Sequence, residues 1–141
     1  MIRAAQPSDA AMLAQLAGEL GYPTTAGEMS SRLAIISASA TDAVLVAESD
    51  GAAIGWIHVR ATVSLESGSF AEIRGLVVTE QWRSRGIGTE LVRVAEEWAH
   101  DRGMTRLRLN TNVIRERAQA FYERCGFVHS KTSRVYEKTL G

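Results

Sequence analysis

Apolar residues recur at helical spacing over the first third of the chain. Ala11, Met12, Leu16 and Leu20 follow Pro7-Ser8 and stop at Gly21, which predicts a helix with Ser8 as its N-cap. Thr25 with Glu28 three residues on is a capping box, and Met29, Leu33 and Ile36 mark the buried stripe of a second helix. From Ala43 the pattern turns β-branched. Val44 to Val46 reads as a strand, Ser49-Asp50-Gly51 as a hairpin turn, and Ile54, Trp56 and Ile57 as the return strand. Thr62 to Ser69 is polar and reads as a turn, and Phe70 to Thr79 as a further strand. Gly88 to Asp101 repeats apolar residues at Leu91, Val92, Ala95, Trp98 and Ala99, an amphipathic helix closed by Gly103. Leu107 and Leu109 alternate with arginines in a strand, Arg115 to Arg124 forms a last helix ended by Gly126, and two short strands are expected near Phe127 and Val135. The order is strand, two helices, three strands, helix, strand, helix, strands: a mixed α/β (α+β) layer fold. The strand-helix-strand unit from Ala71 to Leu109 should be a right-handed parallel crossover, with its helix starting at the strand's C-terminal edge, which ligands favour.

Composition adds mainly exclusions. The 141 residues are 45% apolar and 23% charged, without repeat or linker, which predicts one domain over 1–141. A single cysteine, Cys125, excludes an intrachain disulfide, and with neither signal peptide nor membrane span in view a cytoplasmic protein with no membrane partner is expected. Sixteen basic residues balance sixteen acidic ones, which argues against a nucleic-acid partner. Local charge is uneven: up to Ser31 only Arg3 faces Asp9, Glu19 and Glu28, whereas arginines crowd the middle third. His58, His100 and His129 are scattered without metal-ligand spacing, so no metal is expected.

Arg83-Ser84-Arg85-Gly86-Ile87-Gly88 lies between an apolar strand and an amphipathic helix. Glycines there let backbone N–H groups turn inward, and the helix start presents unpaired N–H groups and a positive dipole end, so the segment reads as a phosphate cradle. Alone it could be a turn with two solvated arginines; the flanking elements favour the cradle. No lysine follows Gly88, which disfavours a P-loop, and Leu91 stands where a dinucleotide fingerprint needs its third glycine.

Arg83-x-x-Gly86-x-Gly88 after Ala71-Glu72-Ile73-Arg74-Gly75-Leu76-Val77-Val78 resembles the acyl-CoA-binding motif of the GNAT superfamily of N-acetyltransferases. Arg117 to Phe127, with Tyr122-Glu123-Arg124-Cys125-Gly126-Phe127, is similar to the family's closing segment, and the element order covers essentially the whole chain. The resemblance implies a GNAT-like fold and acetyl-CoA as co-substrate. It places Leu76, Val77 and Val78 against the pantetheine arm and Arg83, Arg85, Gly86, Ile87, Gly88 and Thr89 on the pyrophosphate. Tyr122 becomes the general acid facing the thioester sulfur. Many members have Asn where this chain has Arg115; Asn110 or Asn112 would replace its hydrogen bond to the cofactor arm. Self-pairing is common in the superfamily, and the terminal strands would offer an edge for a homodimer.

Transfer to an amine requires loss of the ammonium proton. For a lysine-like amine of pKa ~10.4 this costs about 4 to 5 kcal/mol at neutral pH. Glu72, on the strand that binds the cofactor, is the candidate base, although Glu72 and Arg74 could simply pair on one strand face. Tyr122 can protonate the leaving thiolate; on spacing alone it could equally belong to the buried stripe of the last helix. The backbone N–H of Val77 or Val78 is a candidate oxyanion donor if the strand splays there. Trp98 reads as core, Cys125 as an inert helix-end thiol and Trp82 as a neighbour of the cofactor, while Tyr22, Trp56 and His58 are candidates for lining an acceptor groove. The expected function is direct acetyl transfer to a primary amine in a ternary complex. The amine would be a small molecule before a protein N-terminus or lysine, and a non-catalytic acyl-CoA-binding or partner-binding domain is the alternative.

Overall fold

A computed structural model describes residues 1–111 and 116–141. The chain forms two compact units, Met1–Asn110 and Thr111–Gly141. In the first, β1 (Ile2–Ala4) leads through a 3-10 turn at Pro7–Asp9 to α1 (Ala10–Glu19) and α2 (Ala26–Ser37). Then follow β2 (Asp42–Ser49), β3 (Ala52–Ser64), β4 (Gly68–Val78), a 3-10 turn at Glu80–Trp82, α3 (Ile87–Asp101) and β5 (Leu107–Leu109). The sheet runs β1-β2-β3-β4-β5, antiparallel up to β4 and parallel between β4 and β5, so the expected parallel crossover through α3 is present.

Local chemistry explains the elements. Asp50 and Gly51, with φ of 51° and 79°, make the two-residue β2–β3 turn, since positive φ at both central residues matches the strand twist. Thr25 accepts the Glu28 N–H while Glu28 accepts the Thr25 N–H, the reciprocal cap expected for α2. One sheet face is covered by α1 and α2, where Leu13, Leu33, Val46 and Ala53 form a buried cluster with Met12, Val44 and Trp56 against it. The opposite face takes α3, whose Leu91 reaches to within 3.4 Å of where a Cβ on Gly55 would stand. Full burial of side chains such as Leu13, Ile57 and Leu91 contributes roughly 1.5–3 kcal/mol each.

Several expectations are corrected. Ser8 does not cap α1: the buried Asp9 accepts the Gln6 N–H at 2.7 Å and two guanidinium N–H groups of Arg3 at 2.8 and 2.9 Å. Such charge-assisted bonds outcompete a serine hydroxyl. Arg3, and secondarily the Gln6 N–H, hold the Asp9 carboxyl below its ordinary range despite burial. The α1 stripe is Leu13, Leu16 and Ala17 rather than one including Ala11, which is exposed. The turn expected over 62–69 shrinks to 65–67, because polar residues there still pair across β3 and β4. Trp98 is half-buried, with Arg102 stacked 4.3 Å from its ring centre.

The second unit contains α4 (Glu116–Arg124), ended by Gly126 at φ 95°. Among the described residues it holds no strand, so those expected near Phe127 and Val135 are absent, and with them the edge expected for self-pairing. Val135 and Tyr136 are exposed amid Arg134, Glu137 and Lys138. An apolar pair becomes a strand only where a partner edge satisfies its backbone. Arg115 and Asn112 lie outside the described residues.

Candidate active site

The Arg83–Gly88 segment leads into the N-terminus of α3. Gly86 is its N-cap, at φ 84° and ψ 2°, and no side chain caps the helix. The first intrahelical bond shown runs from the Glu90 N–H to the Gly86 carbonyl at 3.0 Å. The amides of Ile87, Gly88 and Thr89 therefore have no acceptor in the preceding turn. A Cβ at Gly86 would meet nothing within 4 Å, so the helix mouth has room for a ligand. Arg85 lies 4.9 Å from the centre of the Trp82 ring, which keeps its charge beside the mouth. Trp82 and Ile87 also line a cleft of about 260 Å³ with Glu48, Ile54 and Glu90.

The link from β4 to the cradle is held by a residue the sequence did not single out. Glu19, at the end of α1, accepts from the Thr79 hydroxyl at 2.9 Å and the Glu80 N–H at 3.0 Å, and lies 3.5 Å from Arg83. Arg83 also donates its Nε to the Val78 carbonyl at 3.0 Å. One carboxylate thus ties together strand end, 3-10 turn and cradle arginine. Sixty residues separate these partners, and no local pattern marks the pairing.

β4 carries a second unforeseen feature. Opposite β3, His58 faces Gly75 and Val59 faces Ile73, leaving Arg74 as the extra residue of a bulge. β5 pairs only with Ala71, Glu72 and Ile73. From Gly75 to Val78 the outer edge of β4 is unpaired by β5 and runs directly into the Thr79–Arg83 link. Val77 is buried there, and Leu76 and Val78 are half-buried. The bulge switches the side-chain alternation, so Glu72 shares a face with Gly75 and Val77 and not with Leu76. Gly75 is required sterically: a Cβ would stand 2.8 Å from Cζ3 of Trp56. The Trp56 indole N–H is buried without an acceptor among the described residues. Orphans of this kind cost about 1–3 kcal/mol and call for an explanation such as a functional site.

Glu72 pairs with Arg74, Nη1 to Oε1 at 2.7 Å, which is the structural alternative weighed for it. Both line a cleft of about 420 Å³ with Thr41, Arg60, Thr62 and Val63. Beside it, Asp42, whose side chain is little exposed, bonds Nε2 of His58 at 2.7 Å. Burial opposes ionisation of Asp42, yet the hydrogen bonds from His58 and Thr41 and the charges of His58 and Arg60 hold its carboxyl below the ordinary range. Asn110, the last residue of the first unit, is exposed, as is Thr89.

In the second unit, Tyr122 packs edge-on against Phe121 and Phe127, with ring centres 5.2 and 5.7 Å apart. Its carbonyl accepts the Phe127 N–H at 3.0 Å, which fixes the chain reversal after α4. Cys125 is half-buried. Among the described residues no helix is long and apolar enough to cross a membrane, and no three His, Cys, Asp or Glu side chains are grouped to hold a metal ion.

Uncapped amides at α3, open space at Gly86 and an unpaired β4 edge fit a diphosphate bearing an extended, amide-containing arm, as in coenzyme A. Comparison with known proteins agrees. An aminoglycoside N(6')-acetyltransferase type 1 from Stenotrophomonas maltophilia is 33% identical over 139 residues, covering 95% of this chain and 88% of the relative. A putative acetyltransferase from Agrobacterium tumefaciens superposes with a TM-score of 0.87 at 29% identity, covering 98% of this chain and 99% of that one. An aminoglycoside N-acetyltransferase solved with coenzyme A has the same fold, with a TM-score of 0.89 at 19% identity over 99% of this chain and 95% of its own. The profile of the acetyltransferase (GNAT) family matches residues 12–127, and the chain belongs to that family as an acetyl-CoA-dependent N-acetyltransferase.

Proposed function

We propose that the chain, acting as one catalytic domain, moves the acetyl group of acetyl-CoA to the primary amine of a small molecule by direct attack in a ternary complex. The match to the family profile over residues 12–127 runs through both units and supports the single domain. Named relatives that act on aminoglycosides support a small-molecule acceptor. The observation that carries the reading is continuity within the first unit. The unpaired stretch Gly75–Val78 leads through the Glu19-tied link straight to the uncapped mouth of α3.

In this reading Arg85, the remaining N–H groups of Arg83 and the amides of Gly86, Ile87, Gly88 and Thr89 bind the pyrophosphate. Leu76, Val77 and Val78 pair their backbone with the pantetheine arm as a missing strand would. An N–H of Val77 or Val78 donates to the oxygen that becomes negative during attack. Glu72 receives the ammonium proton, and Tyr122 donates its proton to the departing sulfur. Asn110 contacts the cofactor arm. Tyr122 takes its role from the family resemblance of its segment.

Tyr122→Phe tests the assignment. Thiol release should fall about 10²–10⁴-fold in kcat, the usual contribution of a positioned acid, while the acetyl-CoA Kd by calorimetry stays within about twofold of wild type. Undiminished kcat would remove Tyr122 from the mechanism. Acetyl-CoA binding without turnover of any amine by the unmodified protein would favour a binding domain.

A further inference from the structure

We propose that the acceptor is a small primary amine carrying an anionic group, a carboxylate or a phosphate, received by Arg60 and Arg74 in the cleft beside Glu72. The proposal rests on the transferase reading above and narrows its substrate class. The 420 Å³ cleft is the size of a small-molecule site and adjoins the bulge at Arg74, beyond which β4 is unpaired by β5. Its charged lining is two guanidiniums and one carboxylate. Arg60 and Arg74 are each about half exposed, at 52% and 48%, and reach the cleft while pairing with Asp42 at 3.7 Å and Glu72 at 2.7 Å, respectively. The nearby Asp42 is not available to a cation: it is 6% exposed, and its oxygens are taken by His58, Thr41 and Ser39 at 2.7, 2.7 and 3.2 Å. On the neighbouring β5 and just before it, Arg108 and Arg106 stack on the Phe70 ring, and Arg108 stands directly across from Glu72.

A polycationic acceptor of the kind named for the relatives would meet this arginine-lined surface with several ammonium groups and one accessible carboxylate. An amine bearing an anion fits both signs. Its anion would replace Glu72 as the acceptor of the Arg74 Nη1 proton, leaving the Glu72 oxygen to the ammonium. The ammonium gives one proton to Glu72, its freed lone pair forms the N–C bond at the thioester carbon, the second nitrogen proton passes to water as the C–S bond breaks, and the departing sulfur takes a proton from the general acid. Solvent then restores both groups.

The test uses the full chain with saturating acetyl-CoA and matched acceptors: α-amino acids against their amides, glucosamine 6-phosphate against glucosamine, and kanamycin. In at least one pair the anionic member should exceed its uncharged partner about tenfold in kcat/KM and exceed kanamycin, and the pair that responds identifies carboxylate or phosphate. Arg60→Gln and Arg74→Gln should each bring that ratio towards one with the acetyl-CoA Kd unchanged. Where a pair is not turned over, calorimetry in the presence of coenzyme A should show the same preference. Equal members in every pair, or a preference for kanamycin, would overturn the proposal while leaving the transferase reading intact. Failure of acetyl-CoA itself to bind would overturn both.

Discussion

The N-termini of α2 and α3 begin in the same first unit and end their backbone ladders in opposite ways. At α2 the chain answers its own unpaired amides: Thr25 and Glu28 exchange reciprocal hydrogen bonds, and the helix start is closed. At α3 the N-cap is Gly86 in a left-handed conformation with no side-chain acceptor, and a Cβ placed there would meet nothing within 4 Å. The difference sets a closed structural helix start against the one proposed to bind the cofactor. Both carry the positive end of a helix dipole, and only the one left without an internal acceptor can offer it to a phosphate.

Supplying α3 with the acceptor it lacks should erase the contrast, and this is the largest effect expected. In Gly86→Asp a carboxylate would occupy the place of the pyrophosphate, weakening acetyl-CoA binding about 100-fold, or about 2.7 kcal/mol, in calorimetry. Glu19→Ala should act next. With Thr79, Glu80 and Arg83 released from their shared carboxylate, the cradle loses its fixed approach, and acetyl-CoA affinity should fall about tenfold, or about 1.4 kcal/mol, with little change in thermal unfolding. Thr25→Ala works on the other side of the comparison. It should lower stability by about 1 kcal/mol in denaturant unfolding and leave acetyl-CoA affinity at the wild-type value.

The smallest effect is a pH response confined to α2. Hydrogen bonds from the Thr25 backbone and hydroxyl, and the charge of Arg32, hold Glu28 below its ordinary value of 4.5. A carboxylate with a lower pKa folded than unfolded stabilises fully above the unfolded value and loses that stabilisation as pH falls through the folded one. Protection of the α2 cap amides relative to their intrinsic exchange rate should therefore fall below about pH 4.5, and Glu28→Gln should abolish that response. The α3 start has no cap to protonate and should show no such change.

Residues whose partners lie nearby were readable from sequence. Thr25 and Glu28 sit three apart, Asp50-Gly51 forms a two-residue turn, and the cradle sits between elements of clear periodicity. The α3 stripe was legible for the same reason, apart from Trp98, which stacks with Arg102 at the rim. What escaped was set by distant partners. Glu19 looks like an ordinary exposed acid until the chain returns with Thr79, Glu80 and Arg83. Asp9 displaced Ser8 as the organising residue of the first turn because Arg3 and Gln6 converge on it. The bulge at Arg74 reverses which side chains share a face with Glu72. Gly75 next to Arg74 was its faint signal, since a glycine within a strand often marks a bulge or a close approach, and here the close neighbour is the Trp56 ring.

Amide hydrogen exchange followed residue by residue, with and without acetyl-CoA, tests most directly whether the α3 mouth and the Gly75–Val78 stretch of β4 hold the co-substrate. The cofactor should slow exchange at Gly86 to Thr89 and within Gly75 to Val78 while Ala26 to Glu28 at the α2 cap stays unchanged. Bound acetyl-CoA that left the α3 and β4 amides exchanging at their free rate would contradict the site.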